Sequence, residues 1–394
     1  MITYFFLIST IFVTVAWTFI IFFHGRNFFS SEPFFWASSL IFEKLHEIKD
    51  CKKTCPKNVC VIIPARDEET CIQSTLNNLI KQQIQHLHIV LVNDNSKDNT
   101  VKKALETFKK NSFKSFKIIN GKTLAVGWTG KVWALKQGID SIHPQSYDYI
   151  LMMDSDIHLK KNIIKNVIDF LELKQLVMVS LMAKLNCTSI WEKLLIPPFI
   201  FFFQKIYPFN NVNKANKKIS AAAGGFIFCK SHLFFKKNLF NKIQNKVIDD
   251  CNLAKLIKEK GGIWLGLTQR VISKRKYTKL SDIWTMVSRT AFEQLDHSIF
   301  FLLSTIFGLF ILYIAPLSNL FFINSTTDTI PFFFNLFAVA MIFLSILPTL
   351  RFYRLNFLFC FSLPFSAMLY GMMTMSSATN FFLNKGNIWK GRKY

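Results

Sequence analysis

Four long apolar stretches frame this chain, and only a fold that buries or embeds them is open to it. Residues 4–23 run for 20 positions without a charge, enough at about 1.5 Å per residue to cross a hydrocarbon core of about 30 Å. Three more stretches, at about 299–323, 330–347 and 355–375, close the chain. No basic residue precedes the first stretch and no small-x-small cleavage pattern follows it, so 1–25 reads as an anchor, not a secretory signal. His24, Arg26, Lys44, Lys49, Lys52 and Lys53 come next. By the positive-inside rule they hold the following segment in the cytoplasm and leave the N-terminus outside. The link 324–329 has no Lys or Arg and is expected outside, whereas Arg351 and Arg354 place the next link inside. Three full crossings would then put the basic tail, Lys385, Lys390, Arg392 and Lys393, on the wrong side. Pro364 makes 355–375 the candidate re-entrant or in-plane segment.

With 51% hydrophobic and 18% charged residues, the composition excludes a disordered chain and fits an ordinary soluble enzyme poorly. The 48 basic residues exceed the 24 acidic ones, giving +24. An anionic membrane surface attracts such charge by about 1 kcal/mol per basic residue, and a bias toward Lys, Asn and Phe inflates it. Without an Arg-rich run or an aromatic-studded recognition module, nucleic acid is not the expected partner. The eight Cys (51, 55, 60, 71, 187, 229, 251 and 360) form no CxxC pair, which indicates reduced thiols and neither a disulfide framework nor a structural zinc site.

The middle of the chain alternates strand and helix. Strands are expected at 59–63, 88–93, 116–120 and 147–153, with helices at about 69–83, 98–110 and 129–139, the pattern of a doubly wound α/β sheet. Ligands of such sheets collect at the carboxyl ends of the strands, and the polar clusters fall there: 64–69 after the first strand, 93–98 after the second, and Asp154-Ser-Asp156 after the fourth. Asp98 and Glu69 read as helix caps. Asp154 and Asp156 present two hard oxygen ligands at one point, which suits Mg²⁺ or Mn²⁺ shared with a diphosphate. Neither G-x-G-x-x-G nor G-x-x-x-x-G-K-[ST] occurs at the expected places, which argues against dinucleotide redox chemistry and P-loop hydrolysis. In their stead Gly127-Trp-Thr-Gly-Lys131 opens a helix, where the backbone favours anions and Lys131 adds a cation for a diphosphate. The small residues 221–225 leave room against the backbone before a buried strand at 226–229. Asp249 and Asp250 lead into a helix at about 252–260; they either cap it or, as adjacent carboxylates beside an anionic donor, raise one another's pKa and supply a general base. The proline-broken apolar run 194–203 is too short to span and reads as either interfacial or buried in the domain core.

Taken together, these residues resemble the family-two, GT-A type of inverting glycosyltransferase, and most closely its membrane-bound hopene-associated branch. The resemblance runs through VIIPARDEE at 61–69, GWTGKVWALKQG at 127–138, DSDI at 154–157, SLMAKLNCTSIWEKLLIPPF at 180–199 and FFFQKIYPF at 201–209. It continues with AAAGGF at 221–226, IDDCNLA at 248–254, MVSRTAFEQL at 286–295 and WKGRKY at 389–394. The resemblance implies that Pro64, Arg66, Glu68 and Asp94 surround the nucleoside, UDP being the expected nucleotide, with Lys131 at the diphosphate and Asp154 and Asp156 at a divalent metal. Asp250 falls where the family keeps its catalytic base and Asp249 at the acidic position before it. Arg289 falls where Q-x-x-R-W usually has its arginine, although the run here is MVSRT. Asn93 stands where Asp is usual.

The implied organisation is an anchor at 1–25, a juxtamembrane linker at 26–57, a cytoplasmic GT-A domain with a doubly wound mixed sheet at 58–296 (interfacial at 189–209), membrane segments at 297–384 and a basic tail at 385–394. The implied activity is transfer of a sugar from a nucleotide-sugar donor to a lipid acceptor at a bacterial inner membrane, the lipid being hopanoid-related or else a diacylglycerol, polyprenyl phosphate or carotenoid. A processive polysaccharide synthase and an inactive membrane scaffold are the competing readings. The first lacks an intact Q-x-x-R-W; the second is opposed by the presence of Asp154, Asp156 and Asp250.

Overall fold

The β-branched run after Asn58 forms a strand, β1 (Asn58–Ala65), buried from Val59 to Ala65, as a strand covered on both faces must be. The structure, a computed structural model, describes residues 2–24, 57–82, 84–236, 238–323, 327–383, 388–389 and 392–393. The basic residues expected to fix the orientation at 26, 44, 49, 52, 53, 385 and 390 lie outside them, as do Cys51 and Cys55. The described residues fall into two compact units.

The sheet unit takes its described residues from Trp36–Asn186, Asn211–Lys276 and Ile388–Tyr394. After β1 come β2 (His86–Asn93), β3 (Phe116–Asn120), β4 (Tyr149–Met153), β5 (Ile157–Leu159), β6 (Met178–Lys184), β7 (Phe226–Lys230) and β8 (Ile263–Ser273). Their order across the sheet is β3-β2-β1-β4-β7-β6-β8-β5. The first four are parallel, β7 is antiparallel to both neighbours, and β5 runs antiparallel to β8. This is the expected mixed α/β sheet, and the alternation read from the sequence holds from β1 to β4. The intervening helices are Ile72–Ile80, Thr100–Lys110 and Gly130–Asp140.

The last of these helices carries Lys131 and lies close against β1 and β2. A Cβ on Gly138 would stand 2.5 Å from Ile62 Cγ2 and 3.2 Å from Val92 Cγ2, so only glycine lets the helix approach this far.

The far side of the sheet is curled. β4 and β5 are four strand positions apart, about 19 Å in a flat sheet at about 4.8 Å per step. The link from Met153 to Ile157 reaches at most roughly 14 Å. Accordingly β8 serves two partners: Ile263–Leu267 run parallel to β6, and Val271–Ser273 pair with β5, with an irregularity in β6 between Met182 and Lys184. The bend brings Ser273 and the residues after it to the end of β4.

The helical unit contains four segments long and apolar enough to cross a membrane: Phe6–Phe23, Ile299–Phe322, Thr329–Tyr353 and Phe357–Phe382. Pro364 occupies the first turn of the helix Leu363–Phe382, where a missing N–H costs nothing. It therefore starts the helix and gives no reason for a re-entrant segment. Two prolines elsewhere are compensated by side chains. Pro316 withholds the amide that would reach Leu312 O, and Trp17 Nε1 donates to that carbonyl at 3.0 Å. Pro198 does the same to Leu194 O, which accepts from Ser366 Oγ at 2.8 Å, while Tyr370 Oη donates to the adjacent Leu195 O at 2.7 Å. The helix Ile190–Ile206 thus continues through Pro197 and Pro198. Where backbone groups have no access to water, such substitution is what makes proline tolerable. The same helix starts at a capping box: the Glu192 carboxylate accepts from the amides of Thr188, Ser189 and Tyr277.

Gly138→Ala is expected to lower the unfolding free energy by about 1–3 kcal/mol, as an overpacked core contact does. Chemical denaturation measures it, and an unchanged midpoint would show that helix and sheet separate freely.

Candidate active site

Four charged side chains meet where the helix starting at Gly130, the end of β4 and the helix Asp249–Lys258 come together. Lys131 Nζ lies 2.7 Å from Asp154 Oδ1. Asp250 is fixed by two backbone donors, Gly224 N to Oδ2 at 2.8 Å and Cys251 N to Oδ1 at 2.8 Å. Asp249 and Asp250 occupy the first helical turn, where the helix dipole favours negative charge. Gly224 explains the small-residue run: a Cβ there would sit 2.8 Å from Lys131 Nζ and 3.2 Å from Asp250 Oδ2. The space read from the sequence as room for a ligand is bounded by the protein's own ammonium and carboxylate.

The charges retune one another. Burial raises the Asp250 pKa, the neighbouring Asp249 carboxylate raises it further, and Lys131 with the two amides pulls it back, to about 6. Asp154 is also raised, by burial first, against the opposing pull of Lys131 and with the repulsion of Asp156 and Asp249. Burial alone would lower Lys131, but Asp154, Asp249 and Asp250 outweigh it and hold the ammonium above the ordinary lysine value. The result is a carboxylate ionised at neutral pH yet able to take a proton, beside a fixed cation.

The loops after β1 and β2 form a second part of the site. Pro64 and Ala65 end β1 beside Val92 and Asn93 of β2. The buried Arg66 donates from Nη1 to Asp94 O at 2.8 Å, and Asp94 N donates to Ala65 O at 2.8 Å. Asn93 accepts from Ser96 N at 3.0 Å and donates from Nδ2 to Asn120 Oδ1 at 3.1 Å; the ionised Asp usual in the resembled family could not make that donation. Asp98 takes the amides of Thr100 and Glu69, but the N-cap position of the helix Thr100–Lys110 is Asn99, so Asp98 is not the helix cap expected.

Asp156 lies apart from the Lys131 cluster in its bonding. Its Oδ2 accepts from Ser273 Oγ at 2.6 Å and faces Arg275 Nε at 3.5 Å. Arg275 Nη2 also donates to Glu68 Oε1 at 2.7 Å. Neither Ser273 nor Arg275 was among the expected site residues. They sit in a Lys-rich stretch, Ser273 being 117 residues after Asp156, and only the bend of β8 brings them here. Arg289 belongs to the helical unit, where it follows the helix Leu280–Ser288.

Asp154 and Asp156 supply hard oxygen donors two residues apart. Among the described residues no group of three or more His, Cys, Asp or Glu forms a ready-made metal cage. Two carboxylates therefore fit a divalent ion that takes its other ligands from phosphate and water, as Mg²⁺ commonly does.

Residues 60–237 match the family model Glycosyl transferase family 2. No curated protein is matched by the sequence. Among solved structures, the chain is similar to a mannosyltransferase, PcManGT from Pyrobaculum calidifontis in complex with GDP-Man and Mn²⁺, at 13% identity, 95% of this chain and 99% of that one, with a TM-score of 0.48. TarS of S. aureus is similar at 17% identity, over 60% of this chain and 39% of that one, with a TM-score of 0.37. The glucosyl-3-phosphoglycerate synthase of Mycobacterium tuberculosis with Mn²⁺, UDP and glucosyl-3-phosphoglycerate is similar at 13% identity, over 60% and 80%, with a TM-score of 0.37.

Gly224→Ala must displace the Lys131 ammonium. Sugar-transfer turnover is expected to fall about ten- to a hundredfold, as for a small misplacement of a catalytic group, with the circular dichroism of the fold retained. Wild-type turnover would show that the position of Lys131 does not matter.

Proposed function

We propose, from the glycosyl transferase family 2 domain at 60–237, that this chain transfers a sugar from a nucleotide-diphosphate donor to a lipid acceptor with inversion at the anomeric carbon. The observation that carries the reading is the cluster of Lys131, Asp154 and Asp250 around Gly224. It combines a proton acceptor tuned to about pH 6 with a fixed cation.

The chemistry is a single in-line displacement. The acceptor hydroxyl oxygen bonds to the anomeric carbon as the bond from that carbon to the diphosphate oxygen breaks. The hydroxyl proton passes to the Asp250 carboxylate, and the diphosphate leaves with the bonding pair. The two amides on Asp250 hold its oxygens in place, and Asp249 keeps its proton affinity high. Lys131 lies where the leaving diphosphate's charge develops, and such prepositioned charge is commonly the largest contribution to catalysis. Asp154 and Asp156 would hold Mg²⁺ or Mn²⁺, which neutralises a leaving diphosphate when bound. Arg66, Glu68 and Asp94, on the loops after β1 and β2, face the nucleoside in this reading, with UDP the first nucleotide to test.

Four helical segments long and apolar enough to cross a membrane support a lipid acceptor and residence in a membrane. Arg351 and Arg354 support a cytoplasmic catalytic side by the positive-inside rule. The resemblance of 127–138 and 180–209 to the hopene-associated branch makes a hopanoid the first acceptor to try, with diacylglycerol, polyprenyl phosphate and carotenoid next. Membranes containing the protein, incubated with labelled UDP- and GDP-sugars and extracted with organic solvent, are expected to yield labelled lipid. Label confined to water-soluble product would overturn the lipid acceptor.

Asp250→Asn is expected to lower transfer by about 10²- to 10⁴-fold, the usual contribution of a positioned base, while calorimetry shows donor binding retained. Turnover near wild type would remove Asp250 from the base role. The raised pKa of Asp250 sets a second test. Its carboxylate is the active form, so kcat/KM should be level above about pH 7 and fall on acidification through about 6, approaching tenfold per pH unit. A profile flat to about pH 5 would exclude Asp250 as the titrating group.

A further inference from the structure

We infer that Arg275, with Ser273, is a positioning residue that aligns the donor loop and the carboxylate of Asp156 for the nucleotide diphosphate and its divalent ion. The inference rests on the glycosyltransferase reading above and extends it to residues that no sequence motif singled out.

Glu68 and Asp156 are 88 residues apart in sequence but follow the carboxyl ends of neighbouring parallel strands, β1 and β4. Both are buried, with relative exposures of 6% and 5%. Two buried carboxylates without a cation would cost more than such a site can bear. Arg275 supplies the cation to both at once, Nη2 to Glu68 at 2.7 Å and Nε facing Asp156 at 3.5 Å. A guanidinium carries donors in a fixed planar fork, which a lysine ammonium does not. The bridge therefore fixes direction as well as charge.

Three further contacts hold the bridge itself. Ser273 Oγ donates to Asp156 Oδ2 at 2.6 Å, Arg275 N lies 3.3 Å from Ser273 Oγ, and Lys274 N donates to Asp156 O at 2.9 Å. Ile157 pairs with Ser273 across the β5–β8 ladder, so the backbone register sets these distances. With Oδ2 engaged, Oδ1 would be the Asp156 oxygen offered to a divalent ion. Outer partners that orient a ligating carboxylate in this way commonly govern metal affinity by 10–100-fold. Glu68 is anchored independently, its amide to Thr100 Oγ1 at 2.8 Å and its carbonyl accepting from Cys71 N and Ile72 N at the start of the helix Ile72–Ile80. Arg275 thereby joins the entrance of that helix to the Asp154-Ser155-Asp156 link.

Calorimetric titration of the full-length protein with UDP and GDP over a range of Mn²⁺ concentrations tests this. Arg275→Gln is expected to weaken Mn²⁺-dependent nucleotide binding about 10- to 100-fold and to raise the Mn²⁺ concentration giving half-saturation. The donor KM should rise while kcat at saturating donor and Mn²⁺ stays within about threefold, because the reacting atoms are untouched. Arg275→Lys should recover part of the loss, and Ser273→Ala, which keeps every charge, should reproduce part of it with the melting temperature retained. If Arg275→Gln fails to fold, the Lys and Ser273→Ala variants decide alone. Wild-type affinity and Mn²⁺ dependence in the folded variants would overturn the positioning role while leaving the donor reading intact. A wild-type protein that binds neither nucleotide with Mn²⁺ would instead overturn the donor reading and this inference with it.

Discussion

Lys131 is the one charge that the rest of the site is arranged around. Removing an ammonium from water is costly, and burial by itself pulls the pKa of this one down. Three carboxylates reverse that outcome. Opposite unit charges at about 4 Å attract by about 4 kcal/mol at an effective dielectric of 20, so even partial contributions from Asp154, Asp249 and Asp250 exceed the burial penalty. The dependence is mutual. Without Lys131, Asp249 and Asp250 would repel each other in the same helical turn, and the Asp250 pKa would rise further. Gly224 matters for the same reason, because it is the gap in the backbone that lets ammonium and carboxylate sit on one point.

This arrangement links binding to chemistry. In the proposed reaction, an arriving diphosphate would compete with Asp154 for Lys131. The competition is eased when Asp154 gains another positive partner, which is what a diphosphate-bound divalent ion would bring. Asp250 then loses part of Lys131's attention and its proton affinity rises, so the group becomes a better acceptor as the donor settles. The sign follows from the opposing effects on Asp250, in which Lys131 lowers and Asp249 raises the pKa.

Much of this was legible in the sequence, for local reasons. Buried parallel strands announce themselves as continuous apolar runs, and the Gly-Trp-Thr-Gly-Lys segment announces a helix start with a cation in its first turn. The strand-end carboxylates were therefore readable, although Asp98 and Glu69 do not cap the helices that follow them and instead tie the loops after β1 and β2 together. β6 and β8 were not, because β8 contains Gly266, Thr268, Gln269 and Arg270 and reads as no single period. Its two halves answer to different partners, so its pattern is mixed by necessity. The helix through Pro197 and Pro198 was hidden for a different reason: local rules end a helix there, and the Ser366 hydroxyl satisfies Leu194 O, the carbonyl that Pro198 leaves without its amide.

The curl of the sheet decides which strand-end residues become neighbours. A short link between strands four positions apart forces β8 to bend, and the bend carries Ser273 and Arg275 to Asp156. No spacing rule places residue 275 beside residue 68, since their separation is set by where the chain must turn back and not by any local preference. The two halves of the site therefore have different origins. The Lys131 cluster follows from helix starts and glycines that are visible one segment at a time. The Glu68, Arg275 and Asp156 bridge follows from the closure of the whole sheet, so changes in the β5–β8 register would disturb it while leaving the Lys131 cluster in place.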